Sequence, residues 1–274
     1  MSQHICFIGA GNMATSLIGG LIANGQDAAG IIACDIDNAK LADLRTRFGI
    51  DTSDDNLTAA TAAEIIMLAV KPQLMQTVCE ALATLPARDD QLFISIAAGI
   101  PSSAIDRWLG GDRAIVRCMP NTPSLVQLGA SGLAANARVS EPQRDEAQRI
   151  LEAVGIAIWV DSEDDLDAVT AISGSGPAYF FYFIELLENA GVELGLSRAA
   201  AARLARQTAL GASTMARDAD VVDLRNRVTS KKGTTEQAIL SFQRERLDQL
   251  VNNATASAHR RSLELKRELG GEQE

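Results

Sequence analysis

The sequence predicts an α/β fold, a Rossmann-type doubly wound parallel sheet followed by an all-α half. Three observations predict it. Short apolar runs that end in glycine, proline or aspartate alternate with helical stretches as far as Val160, the pattern of parallel strands covered on both faces. The first run, Ile5-Cys6-Phe7-Ile8, feeds Gly9-Ala10-Gly11-Asn12-Met13-Ala14 and then an apolar helix. Beyond Asp161 no strand pattern recurs.

Gly9 allows a tight turn, Gly11 lets a pyrophosphate approach the backbone, and Ala14 keeps helix and strand close. With a strand before the turn, a helix after it and a second strand (Ile31 to Cys34) ending at Asp35, the stretch predicts a dinucleotide site. The first helix covers about Asn12 to Asn24. A second spans Asp37 to Phe48, with Asp37 as the expected N-cap. Glu64 to Val70 reads as a strand ending at Lys71-Pro72, and Pro72 suits the first turn of a helix to about Leu85. Strands follow at Gln91 to Ala98, ending at Gly99, and at Ala114 to Met119, ending at Pro120-Asn121-Thr122-Pro123. Leu128 to Ala135 and Ile156 to Val160 extend the same sheet, with a helix from about Glu141 to Val154 between them. Such sheets bind ligands beyond the C-terminal ends of their strands. Those ends carry Gly9 to Met13, Asp35, Val70-Lys71, Ala97-Ala98 and Met119 to Thr122, and Lys71 gains a functional reading from its place there.

In the second half, Asp165 to Ile172 is helical and Ser173-Gly174-Ser175-Gly176-Pro177 follows. The next helix, Ala178 to Leu194, holds five of the eleven aromatic residues and is apolar nearly all round. Such a helix belongs in a core or a subunit interface. Pro177 fits its first turn, with Ser175 or Ser173 near the cap. Further helices cover Ser197 to Ala216, Asp220 to Val228, Glu236 to Phe242, and about Arg244 to Leu269. With Thr234 or Thr235 as N-cap, residues 230–235 put N–H groups and hydroxyls at a helix N-terminus, an anion site suited to a carboxylate. An ordinary capped turn is the plainer alternative. The domain boundary falls at 161/162, and the apolar helices predict an interwoven dimer.

Composition narrows the classes. A chain of 274 residues, 47% apolar, suits two domains. A net charge of −10 argues against nucleic acid and anionic membranes. No apolar run reaches the ~18 residues of a membrane span, and the start of the chain reads as strand rather than signal peptide, so a cytoplasmic location is expected. The tail Gly270 to Glu274 is expected to be disordered. Cys6, Cys34, Cys79 and Cys118 are scattered and His4 and His259 are alone, so no metal site is expected.

The chain resembles pyrroline-5-carboxylate reductases. Ala168 to Tyr179 (AVTAISGSGPAY) is similar to their helical signature almost letter for letter, and Val228 to Thr235 (VTSKKGTT) to their substrate loop. Gly9 to Met13, Ala69 to Pro72, Ser95 to Gly99 and Met119 to Pro123 match their cofactor motifs in order. The resemblance implies a Rossmann domain (1–161) and a helical dimerisation domain (162–274), with dimers assembling into larger homo-oligomers. It implies reduction of 1-pyrroline-5-carboxylate to L-proline by NADPH or NADH. By position, Gly9, Ala10, Gly11, Asn12, Met13, Asp35, Asn56, Val70, Lys71, Ala97 and Asn121 would surround the cofactor. Glu163, Thr170, Ser230, Gly233, Thr234 and Thr235 would surround the substrate. Two departures stand out: Lys231-Lys232 replaces the usual Pro-Gly of the loop, and Arg227 stands where some members have an uncharged polar residue.

Hydride transfer to a ketone needs a proton donor, usually His or Lys. A cyclic imine can bind already protonated, and this sequence fits that lighter demand. Neither histidine is near a predicted site, and no lysine occurs between Lys71 and Lys231. The β-hydroxyacid dehydrogenases, the nearest rival, place a catalytic lysine on a helix of the second domain that here has none. A non-catalytic NAD(P) sensor is the other rival, and the substrate loop argues against it. Thr170 is the candidate to bond the imine nitrogen; the alternative is a hydroxyl bonded back to its own helix. Asp35 would accept hydrogen bonds from both ribose hydroxyls of NADH and repel a 2′-phosphate. The alternative is that Asp37 is only a helix cap, with Lys40 free to swing toward such a phosphate one turn away.

Overall fold

The computed structural model describes residues 4–270. Strand β1 (Ile5–Ile8) leads through the glycine turn into α1 (Asn12–Ala23), β2 (Ile31–Cys34) and α2 (Asn38–Phe48). Then come β3 (Asp51–Ser53), α3 (Asn56–Ala62), β4 (Ile65–Leu68), α4 (Met75–Leu82), β5 (Leu92–Ser95), α5 (Ser102–Trp108) and β6 (Ala114–Met119). Strand β7 (Gly129–Ala135), α6 (Glu141–Glu152) and β8 (Gly155–Trp159) complete one eight-stranded sheet of order β3-β2-β1-β4-β5-β6-β7-β8. Three of these elements, β3, α3 and α5, were not expected from the sequence.

The sheet departs from the all-parallel expectation at one pairing. Strand β7 runs antiparallel to β6 and carries β8 parallel to itself. The cause is the connection. Residues 120–128 are too few for a crossover, which takes a dozen or more, and a 3₁₀ turn at Thr122–Val126 ending in left-handed Gln127 (φ 59°) folds the chain back.

Alternate side chains of one strand feed different layers. Ile5 and Phe7 join Leu17, Met67, Ile94 and Val116 on one face, while Cys6 and Ile8 join Ile66, Leu68 and Phe93 on the other. All four cysteines are free and buried. Strand order reverses where β2 and β4 flank β1 in matched register, Ile8 lying level with Cys34 and Leu68. That reversal opens a crevice beyond the strand ends.

Helix α7 (Asp165–Val169) runs into a π turn at Thr170–Gly174, followed by α8 (Gly176–Glu193), α9 (Arg198–Met215), α10 (Val221–Arg227), α11 (Thr234–Arg244) and α12 (Leu247–Gly270). Among the described residues no strand follows Trp159. The chain divides into two compact units: the sheet with everything up to Ser175 plus the chain from Ala258 onward, and Gly176–Ser257. Compactness thus sets a different division from the change of secondary structure at 161/162. The end of α12 explains part of it. Ser262 Oγ donates to Asp167 Oδ1 at 2.6 Å, Lys266 Nζ lies 3.6 Å from Asp167 Oδ2, and Arg107 Nη2 donates to the Gly270 carbonyl at 3.1 Å. Gly270 closes α12, and the rest of the tail expected to be disordered, 271–274, lies outside the described residues. Among those residues no helix is long and apolar enough to cross a membrane.

In the helical unit α8 and α9 meet where Gly191 faces Ala201, a contact a Cβ would tighten to 3.0 Å. Phe183 and Phe242 rings lie 6.4 Å apart, and Arg206 Nε pairs with Glu188 at 2.8 Å.

Candidate functional site

The glycine turn is shaped by two different demands. Gly9 sits at φ 105°, and a Cβ there would come within 2.7 Å of the Ala69 carbonyl oxygen, so no side chain fits. Gly11 is the N-cap of α1, makes no side-chain cap bond, and a Cβ there would meet nothing within 4 Å. The helix N-terminus therefore faces open space with its N–H groups available, the arrangement that receives a pyrophosphate. Ala14 is fully buried behind it.

A cavity of about 440 Å³ opens there, and Gly9, Gly11, Asp35, Asn56, Val70 and Lys71 all line it. Ala10 is buried behind the turn, Ala97 is buried under the sheet's end, and Asn12, Met13 and Asn121 are not among the lining residues. Ile36, Leu74 and Val78 line it too, although no motif marks them. A signal for them exists in the sequence, since each lies at, or in the first turns after, the end of a predicted strand. The cradle, the crevice and the cavity fit a dinucleotide.

Asp35 and Asp37 divide their work. Asp35 Oδ2 accepts from Ala10 N–H at 2.8 Å and Oδ1 from Asp37 N–H at 2.9 Å. Burial raises the Asp35 carboxyl, but these N–H groups and the Lys40 ammonium outweigh it and hold it below the usual carboxylate range. Asp37 is the N-cap of α2, accepting from Ala39 N–H at 3.0 Å and Lys40 N–H at 3.4 Å.

The π turn stands beside the end of β6. Asn121 Nδ2 donates to the Ser173 carbonyl at 3.0 Å while its Oδ1 accepts from Ala130 N–H at 2.9 Å. Gly174 leaves room for the Met119 methyl, which a Cβ would meet at 2.6 Å. Thr170 Oγ1 donates to the Leu166 carbonyl at 2.7 Å, the back-bonded alternative. That bond uses the hydroxyl proton, and what the oxygen still offers is its lone pairs. A π turn in this position marks functional sites more often than ordinary helix does.

Glu163 is taken up inside the sheet unit. Its Oε1 accepts from Ser102 N–H at 2.7 Å and from Arg117 Nη1 at 2.8 Å, and its Oε2 from the Ser102 hydroxyl. The carboxylate thereby caps α5 and neutralises Arg117, whose side chain is 8% exposed. Burial raises this carboxyl, and Ser102 together with Arg117 lowers it further than burial raises it.

The loop before α11 belongs to the helical unit. Its helix starts at Thr234, with Gly233 rather than a threonine as N-cap. Glu236 explains the earlier start, because its Oε2 accepts from Lys232 N–H at 2.7 Å and closes the first turn from behind. Gly233 N–H donates to the Ser230 carbonyl at 2.9 Å, and a Cβ on Gly233 would stand 2.9 Å from that oxygen. Lys232 holds a left-handed φ of 62°. Thr234 and Thr235 are exposed at the first helical positions, beside N–H groups that no cap occupies.

The family model described as "Pyrroline-5-carboxylate reductase dimerisation" matches residues 163–265, and one described as "NADP oxidoreductase coenzyme F420-dependent" matches residues 4–99. A pyrroline-5-carboxylate reductase of Pseudomonas aeruginosa is 53% identical over 272 residues, covering 98% of this chain and 99% of the relative. The structure of a pyrroline-5-carboxylate reductase from Coxiella burnetii superposes with a TM-score of 0.93 at 44% identity, over 97% of this chain and 99% of that one. A Plasmodium falciparum pyrroline carboxylate reductase with NADP bound gives a TM-score of 0.83 at 29% identity, over 96% and 98% of the two chains.

Proposed function

The chain belongs to the pyrroline-5-carboxylate reductase family, and on that premise we propose how its residues share the reduction of 1-pyrroline-5-carboxylate to L-proline. The reduced nicotinamide of NADPH or NADH supplies the hydride for the C=N carbon. Gly9 and Gly11 admit the pyrophosphate to the N-terminus of α1, and Asn56, Val70 and Lys71 wall the cavity around it. Ala10, Asn12, Met13 and Ala97 support that wall, and Asn121 holds the π turn against the end of β6. The substrate carboxylate is held by the N-terminus of α11, the hydroxyls of Ser230, Thr234 and Thr235, and the turn that Gly233 permits.

Thr170 then has a defined polarity. With its proton given to Leu166, its oxygen accepts, and the donor it suits is the N–H⁺ of an already protonated imine. The nitrogen needs no proton during the step, so hydride addition leaves a neutral secondary amine. Glu163 acts through Arg117 and Ser102 as a positioning residue. The dimers assemble further into a higher homo-oligomer, supported by the apolar Leu125, Val126 and Leu128 left exposed on the sheet unit. The four free, buried cysteines fit a reducing compartment such as the cytosol.

The observation that carries this division of labour is the uncapped N-terminus of α11 with two exposed threonines beside it. The test is NADPH or NADH oxidation with pyrroline-5-carboxylate. Thr235→Val is expected to raise KM for the imine by a loss of about 1.5–3 kcal/mol, the value of a hydrogen bond to a charged group. Thr170→Val is expected to lower kcat and Thr170→Ser to restore it. An unchanged KM in the first variant, or wild-type kcat in the second, overturns the respective role. Tight cofactor binding without turnover would favour the sensor.

A further inference from the structure

The end of β2 gathers two carboxylates and one ammonium at the edge of the cavity beside the glycine turn. Both oxygens of Asp35 already serve the backbone, at Ala10 and at Asp37. Asp35 therefore ties the glycine turn to the start of α2, and its side chain is only 13% exposed. Asp37 differs. One oxygen caps α2, while Oδ2 has Lys40 Nζ at 3.8 Å for company and the side chain is 45% exposed. Lys40 Nζ is shared between Asp37 and Asp35, 3.6 Å from the latter. Ile36, between the two acids, offers a phosphate nothing. The other lysine of the cavity wall, Lys71, follows β4, on the far side of β1 from β2.

Two carboxylates and one ammonium leave a net negative charge where the adenosine ribose sits in this fold. A ribose 2′-hydroxyl has an acceptor there in Asp37 Oδ2. A 2′-phosphate, with nearly two negative charges, meets a cation already engaged twice. With the cavity taken as the dinucleotide site, a reading on which the inference rests, we propose that Asp37 and Lys40, rather than Asp35, set the cofactor preference, and that the site favours NADH over NADPH. Asp37 Oδ2 takes the ribose hydroxyl, and a 2′-phosphate enters by drawing Lys40 away from both carboxylates.

The experiment is calorimetric titration of the full chain with 5′-AMP and with 2′,5′-ADP, fragments that differ by the 2′-phosphate alone. The kcat/KM ratio for NADPH and NADH is measured alongside. Wild type is expected to bind 2′,5′-ADP no more tightly than AMP. Asp37→Ser keeps an N-cap but removes one carboxylate and leaves Lys40 with Asp35 as its one partner here, and should raise the 2′,5′-ADP to AMP affinity ratio by about tenfold. Lys40→Gln removes the cation and should lower that ratio by roughly fivefold. The NADPH to NADH ratio of kcat/KM should move the same way in each variant. Wild type that strongly prefers 2′,5′-ADP, or ratios that stay put in both variants, would overturn the proposal while leaving the dinucleotide reading intact. Failure of wild type to bind either nucleotide would overturn both.

Discussion

Strands of the sheet unit present side chains to two filled layers, so that Phe7, Ile66 and Ile94 are all but inaccessible. In the helical unit the same kinds of side chain stand in the open. Between Gly176 and Ser257 only Gly176, Ala201 and Ala205 are buried, whereas Phe180 and Phe181 are each 65% exposed. Burying one such side chain contributes about 1.5–3 kcal/mol, and this unit leaves more than a dozen of them unburied. The sheet unit closes its core with its own chain. The helical unit is half a core, and its match to a dimerisation family names the other half: a second copy.

The largest effect should come from attacking that shared half. Phe180, Phe183 and Leu187 fall on one stripe of α8 at helical spacing. Phe180→Lys is expected to weaken dimerisation by about 3 kcal/mol or more, the cost of removing an aromatic anchor and burying a charge. Light scattering across a dilution series measures it, and an unshifted dimer would place α8 outside the interface.

The sheet unit should break in a different way, from within one chain. Glu163→Gln leaves Arg117 buried without its counterion and is expected to cost about 3 kcal/mol of stability at neutral pH. The sign with pH follows from the carboxyl being held low in the fold. Its contribution is fully present above the unfolded value of about 4.3 and is lost as pH falls through the lower folded value. The gap between wild type and variant in urea melts should therefore close in acid, with the dimer still forming at pH 7. A gap that widens below pH 4 would contradict the ion pair.

How much of this was legible in the sequence also differs between the units. Strands such as Ile5–Ile8 and Ile65–Leu68 were legible because both faces are buried and the run is wholly apolar. Strand β3, Asp-Thr-Ser, is an edge with no apolar residue, and α3 buries only Ala59 and Ala60, so neither leaves a pattern. The reversal of β7 is invisible because an apolar run has no direction. In the candidate site, the glycine turn, Asp35 and Lys71 were legible as strand ends. The engagement of Asp35 and Glu163 with backbone and arginine was not, since it depends on contacts between residues 25 and 61 apart in sequence. The nearly all-apolar α8 was legible as a helix that belongs in a core or a subunit interface, and within its own chain Gly176 is its one buried residue.

The smallest effect probes the loop of the helical unit. Lys232 pays for a left-handed backbone that glycine adopts without strain. Lys232→Gly is expected to stabilise by about 0.5–1 kcal/mol at most while leaving the sheet unit's melting unchanged. Destabilisation in thermal melts would mean that the lysine side chain holds the turn.

Hydrogen exchange followed by mass spectrometry, run at protein concentrations above and below the dimer's dissociation constant, tests the contrast most directly. Amides of α8 and α9 should lose protection on dilution, while those of β1, β4 and β5 keep theirs. Equal protection of both units in the dilute monomer would show that the helical unit closes its own core, and the account would fall.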